Sequence, residues 1–304
     1  MTSFSKPPMR DGVSPSTVHL PFNHSPRTGL PWSTIFEFLV EHFDQISSDI
    51  WQQRMIEHKV LDRSGQPVHQ HTPYQPHTKI YYYRELPQEA IVPFQEKILF
   101  QNEHLLVVDK PHFLTVSPTG RYVKQTLLVR LKQQLGNEDI SPIHRLDRET
   151  AGVMLFSLQA ETRSLYQNLF QQRQVDKVYE AIAPYRPDLM LPLCYESRLI
   201  KGEPFFTMQE SHGEPNSFTR IELLQIKNKL ARYQLTPITG KQHQLRVHMA
   251  ALGIPILNDS FYPMVQSRYD DFSRPLQLLA KSIAFIDPVT QYSVCYTSEQ
   301  HLSF

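Results

Sequence analysis

Apolar positions change their spacing along the chain, and the changes divide it into three stretches. Residues 1–30 contain five prolines and little periodicity, which indicates an extended arm that is ordered only if something holds it. Residues 31–92 show short helical and strand-like patterns, which predict a small α/β module. From residue 93 to residue 304 stronger strand patterns alternate with helices, so we expect one larger domain there.

The small module is predicted to contain two short helices and two strands. Thr34 and Asp49 lie at capping positions that open helices, and residues 79–84 read as a strand. This order, with Arg54 on the second helix, loosely resembles the S4-type RNA-binding module. Residues 58–59 replace the glycine expected after that helix. A generic α/β cap on the larger domain is the alternative, and the sequence favours neither.

The larger domain is predicted to be of the α+β class, because its strands outnumber its long helices. The strand patterns cover residues 105–111, 152–158, 177–183 and 231–238, and the helical patterns cover residues 126–135, 160–171 and 241–252. We therefore expect a sheet with helices packed against it.

Composition is that of an ordinary soluble protein, with 40% hydrophobic and 20% charged residues. The formal net charge of +1 lacks the basic excess usual in nucleic-acid binders and disfavours very tight nonspecific binding of nucleic acid. Cys194 and Cys295 are expected to be reduced structural thiols. Neither a long apolar run nor a secretory leader is evident, so we expect a cytoplasmic protein without a membrane segment.

The first segment whose residue types could carry out catalysis is the loop at residues 143–152. It places Asp147 between Arg145 and Arg148, whose positive charges favour the ionised carboxylate. An ionised aspartate can serve as nucleophile, base or electrostatic stabiliser. From these residues alone a surface salt-bridge loop is the favoured interpretation. A kinase catalytic loop is excluded because Leu146 separates the arginine from the aspartate.

The second segment is the predicted helix at residues 241–252. Lys241, His243 and Arg246 lie near its start, where unpaired backbone N–H groups favour a phosphate. Taken alone, an ordinary amphipathic helix explains it equally well. His243 and His248 are five residues apart, a poor spacing for sharing one metal ion, so we predict no metal site.

Taken together, the segments resemble the RluA-type family of RNA pseudouridine synthases. The resemblance spans roughly residues 95 to 290 and consists of five ordered blocks. These blocks are residues 105–111 with 126–127, residues 144–152, residues 177–181, Thr219 with residues 240–248, and residues 253–259 with Tyr262. The resemblance implies a mixed, largely antiparallel central sheet with flanking helices. It also makes a surface salt bridge the less favoured interpretation of Asp147.

The resemblance also implies roles for individual residues. Asp147 matches the aspartate that attacks the uridine, and Tyr179 matches the tyrosine that stacks on the target base. Arg246 matches the basic partner of the aspartate, and Leu245 lines the uracil pocket. Arg145 resembles the arginine that assists base flipping, which the reaction needs because a stacked uridine cannot reach a carboxylate.

Further implications concern RNA contacts and cofactors. Lys241 and His243 are predicted to contact RNA at the start of the helix, although Lys241-Gln242 replaces the more common Arg-Thr. Asn258 and Pro263 stand where glycines are usual, so the turn near Asp259 is expected to differ locally. The reaction rearranges its substrate and requires no cofactor. The expected partner is structured RNA, either tRNA or ribosomal RNA, bound by a monomer with no obligate protein partner.

Two other functions compete with the isomerase. An N-glycosidic hydrolase would need a second carboxylate about 5–10 Å from the first. Glu149 and Asp259 are the candidates, but neither has a spacing that argues for this role. A non-catalytic RNA-binding protein would need only the N-terminal module and dispersed basic residues.

Overall fold

The computed structural model describes residues 6–86, 89–266 and 271–304, and it divides the chain into two compact units. The first unit is Met1–Glu89 and the second is Ala90–Phe304. The division falls three residues before the one expected from the sequence, after residue 92. Within the described ranges, no helix has both the length and the apolar character needed to cross a membrane.

The first unit consists of two helices and a three-stranded antiparallel sheet in the order β1-β3-β2. Its elements are β1 (Ser16–His19), α1 (Ile35–His42), α2 (Ser48–Ile56), β2 (Val60–Asp62) and β3 (Lys79–Tyr82). Strand β1 pairs with β3 along its whole length, so the expected arm at residues 1–30 contributes a strand to this sheet.

Local sequence explains most helix boundaries of the first unit. The Thr34 hydroxyl accepts the Glu37 N–H at 3.2 Å and caps α1 as expected. The second helix is capped by Ser47 rather than Asp49, because the Ser47 hydroxyl accepts the Ile50 N–H. His58 has a φ of 53°, the left-handed conformation for which a glycine was expected.

The second unit contains an eleven-stranded sheet. Its elements are β4 (Lys97–Gln101), β5 (Leu105–Lys110), α3 (Leu127–Leu135), β6 (Ser141–Pro142), β7 (Ala151–Ser157), α4 (Ala160–Gln171), β8 (Asp176–Pro184), β9 (Leu193–Lys201), β10 (Met208–Ser211), β11 (Ser217–Lys227), β12 (Leu230–Pro237), α5 (Gln244–Ala251), β13 (Leu278–Ile286) and β14 (Ser293–Thr297).

Strand pairing gives the order β10-β9-β11-β12-β8-β13-β7-β5-β4, with β14 on β13 and β6 on β7. Strands β13 and β7 run parallel, and the other described pairs of this sheet are antiparallel. The prediction of an α+β domain with a mixed, largely antiparallel sheet is confirmed.

Helices cover both faces of the sheet, which explains why β5 and β7 are buried at every position. On one face Leu127 and Leu131 of α3 pack with Leu106 and Val108 of β5. On the other face Tyr166 of α4 packs with the alternate β5 residues Leu105 and Val107. Helix α5 packs through Leu245 and Met249 against β8, β11 and β12.

One row of residues across the sheet aligns β7, which follows the loop that carries Asp147, with β8. Gly152 of β7 pairs with Ala280 of β13, and Ala280 pairs in turn with Tyr179 of β8. Gly152 has a φ of +114°, and a Cβ atom there would come within 2.2 Å of the Ala280 carbonyl oxygen. The parallel pairing therefore requires glycine at residue 152, five positions after Asp147.

The variant Gly152→Ala is expected to lower the free energy of unfolding of the second unit by about 3 kcal/mol or more, because backbone must move and the positive φ is strained. Gly136→Ala is the matched control. Gly136 also has a positive φ, at the end of α3, but open space surrounds it, so we expect about 1 kcal/mol. Urea denaturation measures both values, and equal losses would contradict the steric argument.

Candidate active site

A pocket of about 190 Å³ brings together all seven site residues predicted from the sequence. Its lining residues are Arg145, Leu146, Asp147, Thr150, Lys177, Tyr179, Pro237, Thr239, Gly240, Lys241, Gln242, His243, Gln244, Leu245, Arg246 and Leu278. These residues come from the loop before β7, from β8, from the turn before α5 and from β13.

Arg246 of α5 is buried and gathers three carboxylates. Its Nε and Nη2 donate to the two oxygens of Asp259 at 2.8 and 2.7 Å. Nη2 also donates to Glu149 at 3.1 Å, and Nη1 donates to Asp147 at 3.4 Å. Burial alone would lower the pKa of this guanidinium, but the hydrogen bonds and charge of Asp259 outweigh burial and raise the pKa.

Two of these carboxylates, those of Asp259 and Glu149, accept hydrogen bonds from further donors. One oxygen of Asp259 accepts the backbone N–H groups of Phe261 and Tyr262 at 2.8 and 3.1 Å. The Ser260 hydroxyl donates to Glu149 at 2.7 Å. Burying charge is tolerable when the ions are paired and their remaining lone pairs are satisfied. The turn from Asp259 to Tyr262 therefore completes the support of Arg246.

Asp147 is paired with Arg246 rather than with its flanking arginines. Its carboxylate makes the 3.4 Å contact with Arg246 and faces His243 Nε2 at 3.7 Å. Arg148 instead donates to the Tyr122 hydroxyl at 3.1 Å, because the chain turns between Asp147 and Thr150. Arg145 is exposed and lines the pocket. The flanking arginines are thus not the direct ion-pair partners of Asp147 that the sequence suggested.

The backbone of the Asp147 loop is held by side chains beneath it. Buried Lys110 donates to the carbonyls of Pro111, Leu114 and Arg148 at 2.9–3.1 Å, and burial lowers its pKa to about 7. His112 Nδ1 lies 2.7 Å from the Glu149 carbonyl, to which it donates. These contacts fix the loop before any substrate arrives.

His144 anchors the start of the same loop. Its Nε2 accepts the Leu155 N–H at 3.1 Å, and its ring stacks on Phe170 at a centroid distance of 4.7 Å. Burial lowers the pKa of His144 to about 4, so the ring is neutral at pH 7. The histidine of the His-Arg-Leu-Asp segment thus has a structural role in joining the loop to β7.

The helix carrying Arg246 begins later than the sequence suggested. Helix α5 starts at Gln244 rather than Lys241, because His243 adopts a left-handed φ of 53°. The Gln244 side-chain oxygen accepts from the Thr239 hydroxyl at 2.7 Å and from the Lys241 N–H at 3.0 Å. Lys241 therefore lies in the turn before α5, outside the helix whose start the sequence placed there.

His243 is oriented by Tyr262. The Tyr262 oxygen accepts the Met208 N–H at 2.8 Å, and the same oxygen lies 2.8 Å from His243 Nδ1. We assign the ring proton to Nε2, which faces Asp147 at 3.7 Å, because a neighbouring carboxylate favours that tautomer. Burial lowers the pKa of His243 although the charge of Asp147 opposes this, so the ring stays neutral at pH 7.

Tyr179 and Lys177 project from β8 into the pocket. Burial, assisted by the charge of Asp147, raises the pKa of Tyr179, so it remains a phenol throughout the physiological range. Burial also lowers the pKa of Lys177, whose Nζ donates to the Thr239 carbonyl at 3.3 Å. Sequence reasoning missed Lys177, although two-residue spacing on a strand places it on the same face as Tyr179.

In the part of the chain that the structure describes, no group of three or more His, Cys, Asp or Glu side chains is arranged to hold a metal ion.

Comparison with known proteins adds independent information. Residues 104–251 match the model of the RNA pseudouridylate synthase family. An uncharacterised RNA pseudouridine synthase of Synechocystis is 29% identical over 235 residues, which cover 75% of this chain and 79% of that protein. The dual-specificity RNA pseudouridine synthase RluA of Pasteurella multocida is 33% identical over 209 residues, covering 64% of this chain and 88% of that protein.

Solved structures agree with these relationships. The human protein named RNA Pseudouridylate Synthase Domain Containing 4 aligns with this chain at a TM-score of 0.53 and 26% sequence identity. The alignment covers 68% of this chain and 88% of the human one. The human RNA pseudouridylate synthase domain containing 1 has a TM-score of 0.57 over 69% of this chain and 86% of that one. Its 23% identity supports the shared fold alone.

The pKa of His144 yields a test by pH. A histidine kept neutral in the folded state stabilises the protein fully above its unfolded pKa of 6.5, and this contribution declines as pH falls toward about 4. Because residue His144 is half-buried, solvent screening reduces this contribution, and we expect a loss of about 2 kcal/mol.

His144→Gln retains a hydrogen-bond acceptor but cannot titrate. The difference in free energy of unfolding between wild type and His144→Gln should therefore change by about 2 kcal/mol between pH 7 and pH 4. Exposed His301→Gln provides the control and should give a nearly constant difference. A pH-independent difference for His144→Gln would contradict the neutral buried state.

Proposed function

The chain belongs to the RluA-type family of RNA pseudouridine synthases, and we propose that Asp147 is the carboxylate that attacks its target uridine. The enzyme isomerises uridine in RNA to pseudouridine. The base leaves the sugar at nitrogen, rotates, and rejoins the sugar through carbon. This rearrangement requires a nucleophile, a pocket for the flipped base and proton transfer, and it requires no group donor.

The observation that carries the assignment is the unequal exposure of the three carboxylates on Arg246. The Asp259 side chain is 1% exposed, Glu149 is 13% exposed and Asp147 is 27% exposed. Asp259 also uses both oxygens on the guanidinium. Asp147 lines the pocket and makes the longest of these hydrogen bonds, so it is the carboxylate available to a substrate.

The pocket walls suit a flipped uracil. Tyr179 supplies a flat face, and stacking of a base on an aromatic ring contributes roughly 1–3 kcal/mol. Leu245 and Leu278 supply apolar surface beside it. The raised pKa of Tyr179 keeps its hydroxyl protonated, so the phenol can donate a hydrogen bond to the flipped base, and we propose that it takes part in the proton transfer of the rearrangement.

Basic groups around the pocket fit the phosphates of the flipped nucleotide. Arg145, Lys177 and Lys241 line the same pocket as Asp147. Arg145 is exposed, which suits a side chain that occupies the space left by the flipped base. His243 contributes its Nε2–H beside Asp147, and this donor supports the orientation of the attacking carboxylate.

The hydrolase alternative is not favoured. Glu149 and Asp259 were its candidate second carboxylates, and both are engaged with Arg246. Glu149 is also bound by the Ser260 hydroxyl. A general base that activates water would need a free lone pair facing the substrate.

We also propose a structured tRNA or ribosomal RNA as substrate, a monomeric enzyme and a cytoplasmic location. The name of the Pasteurella relative, a dual-specificity enzyme, supports action on more than one RNA. The first unit is proposed as an S4-like RNA-binding module, on the order of its elements and the left-handed His58. Its Arg54 is buried and lies 4.8 Å over the Trp51 ring, so exposed residues must make any RNA contacts.

Asp147→Asn is expected to abolish pseudouridine formation, because the amide cannot act as an anionic nucleophile. Pseudouridines in total RNA are mapped with a chemical label that stops reverse transcription, in cells that lack the gene and carry either wild type or variant. Exposed Glu214→Gln is the control and should restore every site. Wild-type modification by Asp147→Asn would refute the assignment, and the restored positions identify the RNA.

Tyr179→Phe is expected to keep RNA affinity within about threefold, because the stacking face remains, and to lower the single-turnover rate by 10²–10⁴-fold if the hydroxyl transfers a proton. The rate is measured on RNA from cells lacking the gene. A Tyr179→Leu variant, which removes the face, should instead weaken binding as well. An unchanged rate for Tyr179→Phe would assign Tyr179 to stacking alone.

A further inference from the structure

Two consecutive phenylalanines stand on the surface between β9 and β10. Phe205 is 86% exposed and Phe206 is 36% exposed, and their ring centroids are 5.6 Å apart. A ring as exposed as Phe205 buries little area and therefore adds little to the stability of the fold. Exposed aromatic surface that adjoins a functional pocket indicates a site of interaction.

The turn that carries these rings is held by its own backbone. The Gly202 N–H donates to the Thr207 carbonyl at 3.0 Å, and the Thr207 N–H donates to the Pro204 carbonyl at 2.8 Å. The buried Thr207 hydroxyl also donates to the Pro204 carbonyl, at 2.7 Å. Phe205 and Phe206 are therefore presented by a preorganised turn, which lowers the entropy lost when a ligand binds.

The phenylalanine pair is continuous with the wall of the pocket. Phe206 packs on Phe261 at a centroid distance of 5.2 Å, and Phe261 lies 5.7 Å from the His243 ring. The Arg246 guanidinium lies 4.8 Å over the Phe261 ring. Gln242, a pocket residue, donates to the Phe206 carbonyl at 3.4 Å. A path of touching rings thus runs from the surface to the partners of Asp147.

We propose that the Phe205 ring, which Phe206 contacts edge to face at an interplanar angle of 80°, forms a stacking platform for an unpaired nucleobase of the RNA, adjacent in the strand to the flipped uridine. The inference rests on the proposed active site around Asp147. Flipping a nucleotide leaves its neighbours without a stacking partner, and an aromatic face replaces that partner whatever the base. With a net charge of only +1, this chain depends on such uncharged contacts more than a strongly basic protein does.

The test uses Phe205, because its exposure makes a folding defect improbable. Phe205→Leu keeps the apolar character but removes the flat face, and Phe205→Trp restores a face. On total RNA from cells lacking the gene, Phe205→Leu should lower kcat/KM by roughly 5- to 100-fold. The rate at saturating RNA should change little, and Phe205→Trp should match wild type. Tyr292→Leu, at an exposed aromatic residue between β13 and β14, should match wild type too.

A binding experiment checks the dependence on the base. In an Asp147→Asn background, fluorescence anisotropy measures affinity for a short single-stranded oligouridylate and for an abasic ribose-phosphate chain of equal length. Phe205→Leu should weaken binding of the oligouridylate by a similar factor and leave the abasic chain unaffected.

Other outcomes overturn the platform. The proposal fails if Phe205→Leu has the same kinetics and the same RNA affinity as the protein with Phe205. It also fails if Phe205→Leu weakens binding of the oligouridylate and of the abasic chain equally, or if the protein with Phe205 does not prefer the oligouridylate. Concentration-dependent self-association that Phe205→Leu abolishes would assign the pair to a protein contact instead. These failures are distinct from failure of the proposed active site, which would appear as full activity in Asp147→Asn.

Discussion

A single buried guanidinium joins three separate parts of the chain. Arg246 comes from α5, Asp147 and Glu149 from the loop before β7, and Asp259 from the turn after α5. Removing one partner from such a buried ion cluster costs about 3–5 kcal/mol, because the remaining charges stay buried without compensation. Arg246 therefore organises the fold of this region and the electrostatic surroundings of Asp147, the carboxylate that we propose as the nucleophile, through the same contacts.

The sheet supplies the second constraint, which is geometric. The alignment of the Asp147 loop with Tyr179 comes from β13, which pairs in parallel with β7 and antiparallel with β8. The row Gly152–Ala280–Tyr179 fixes that alignment through β13. Lys110 holds the loop through the Arg148 carbonyl, and His144 joins the start of the loop to the Leu155 N–H of β7. Strand pairing and these two side-chain contacts together position the Asp147 loop relative to Tyr179.

The sequence predicted the α+β class, most elements near the pocket and seven of the sixteen residues that line the pocket. The residues alone left Asp147 as a surface ion pair, and only the family resemblance joined it to Tyr179 and Arg246. Strand β11 escaped prediction because a bulge between Leu223 and Gln225 interrupts the two-residue alternation. The start of α5 was misplaced because periodicity does not reveal the left-handed His243.

The contacts of Arg246 have a further consequence for cooperativity. They join residues 97 and 99 positions apart in the sequence, so they cannot form within any short segment of the chain. A partly folded molecule that lacks α5, the β7 loop or the Asp259 turn also lacks the assembled cluster. Asp147 therefore acquires its contact with Arg246 only when α5 and the loop before β7 have folded together.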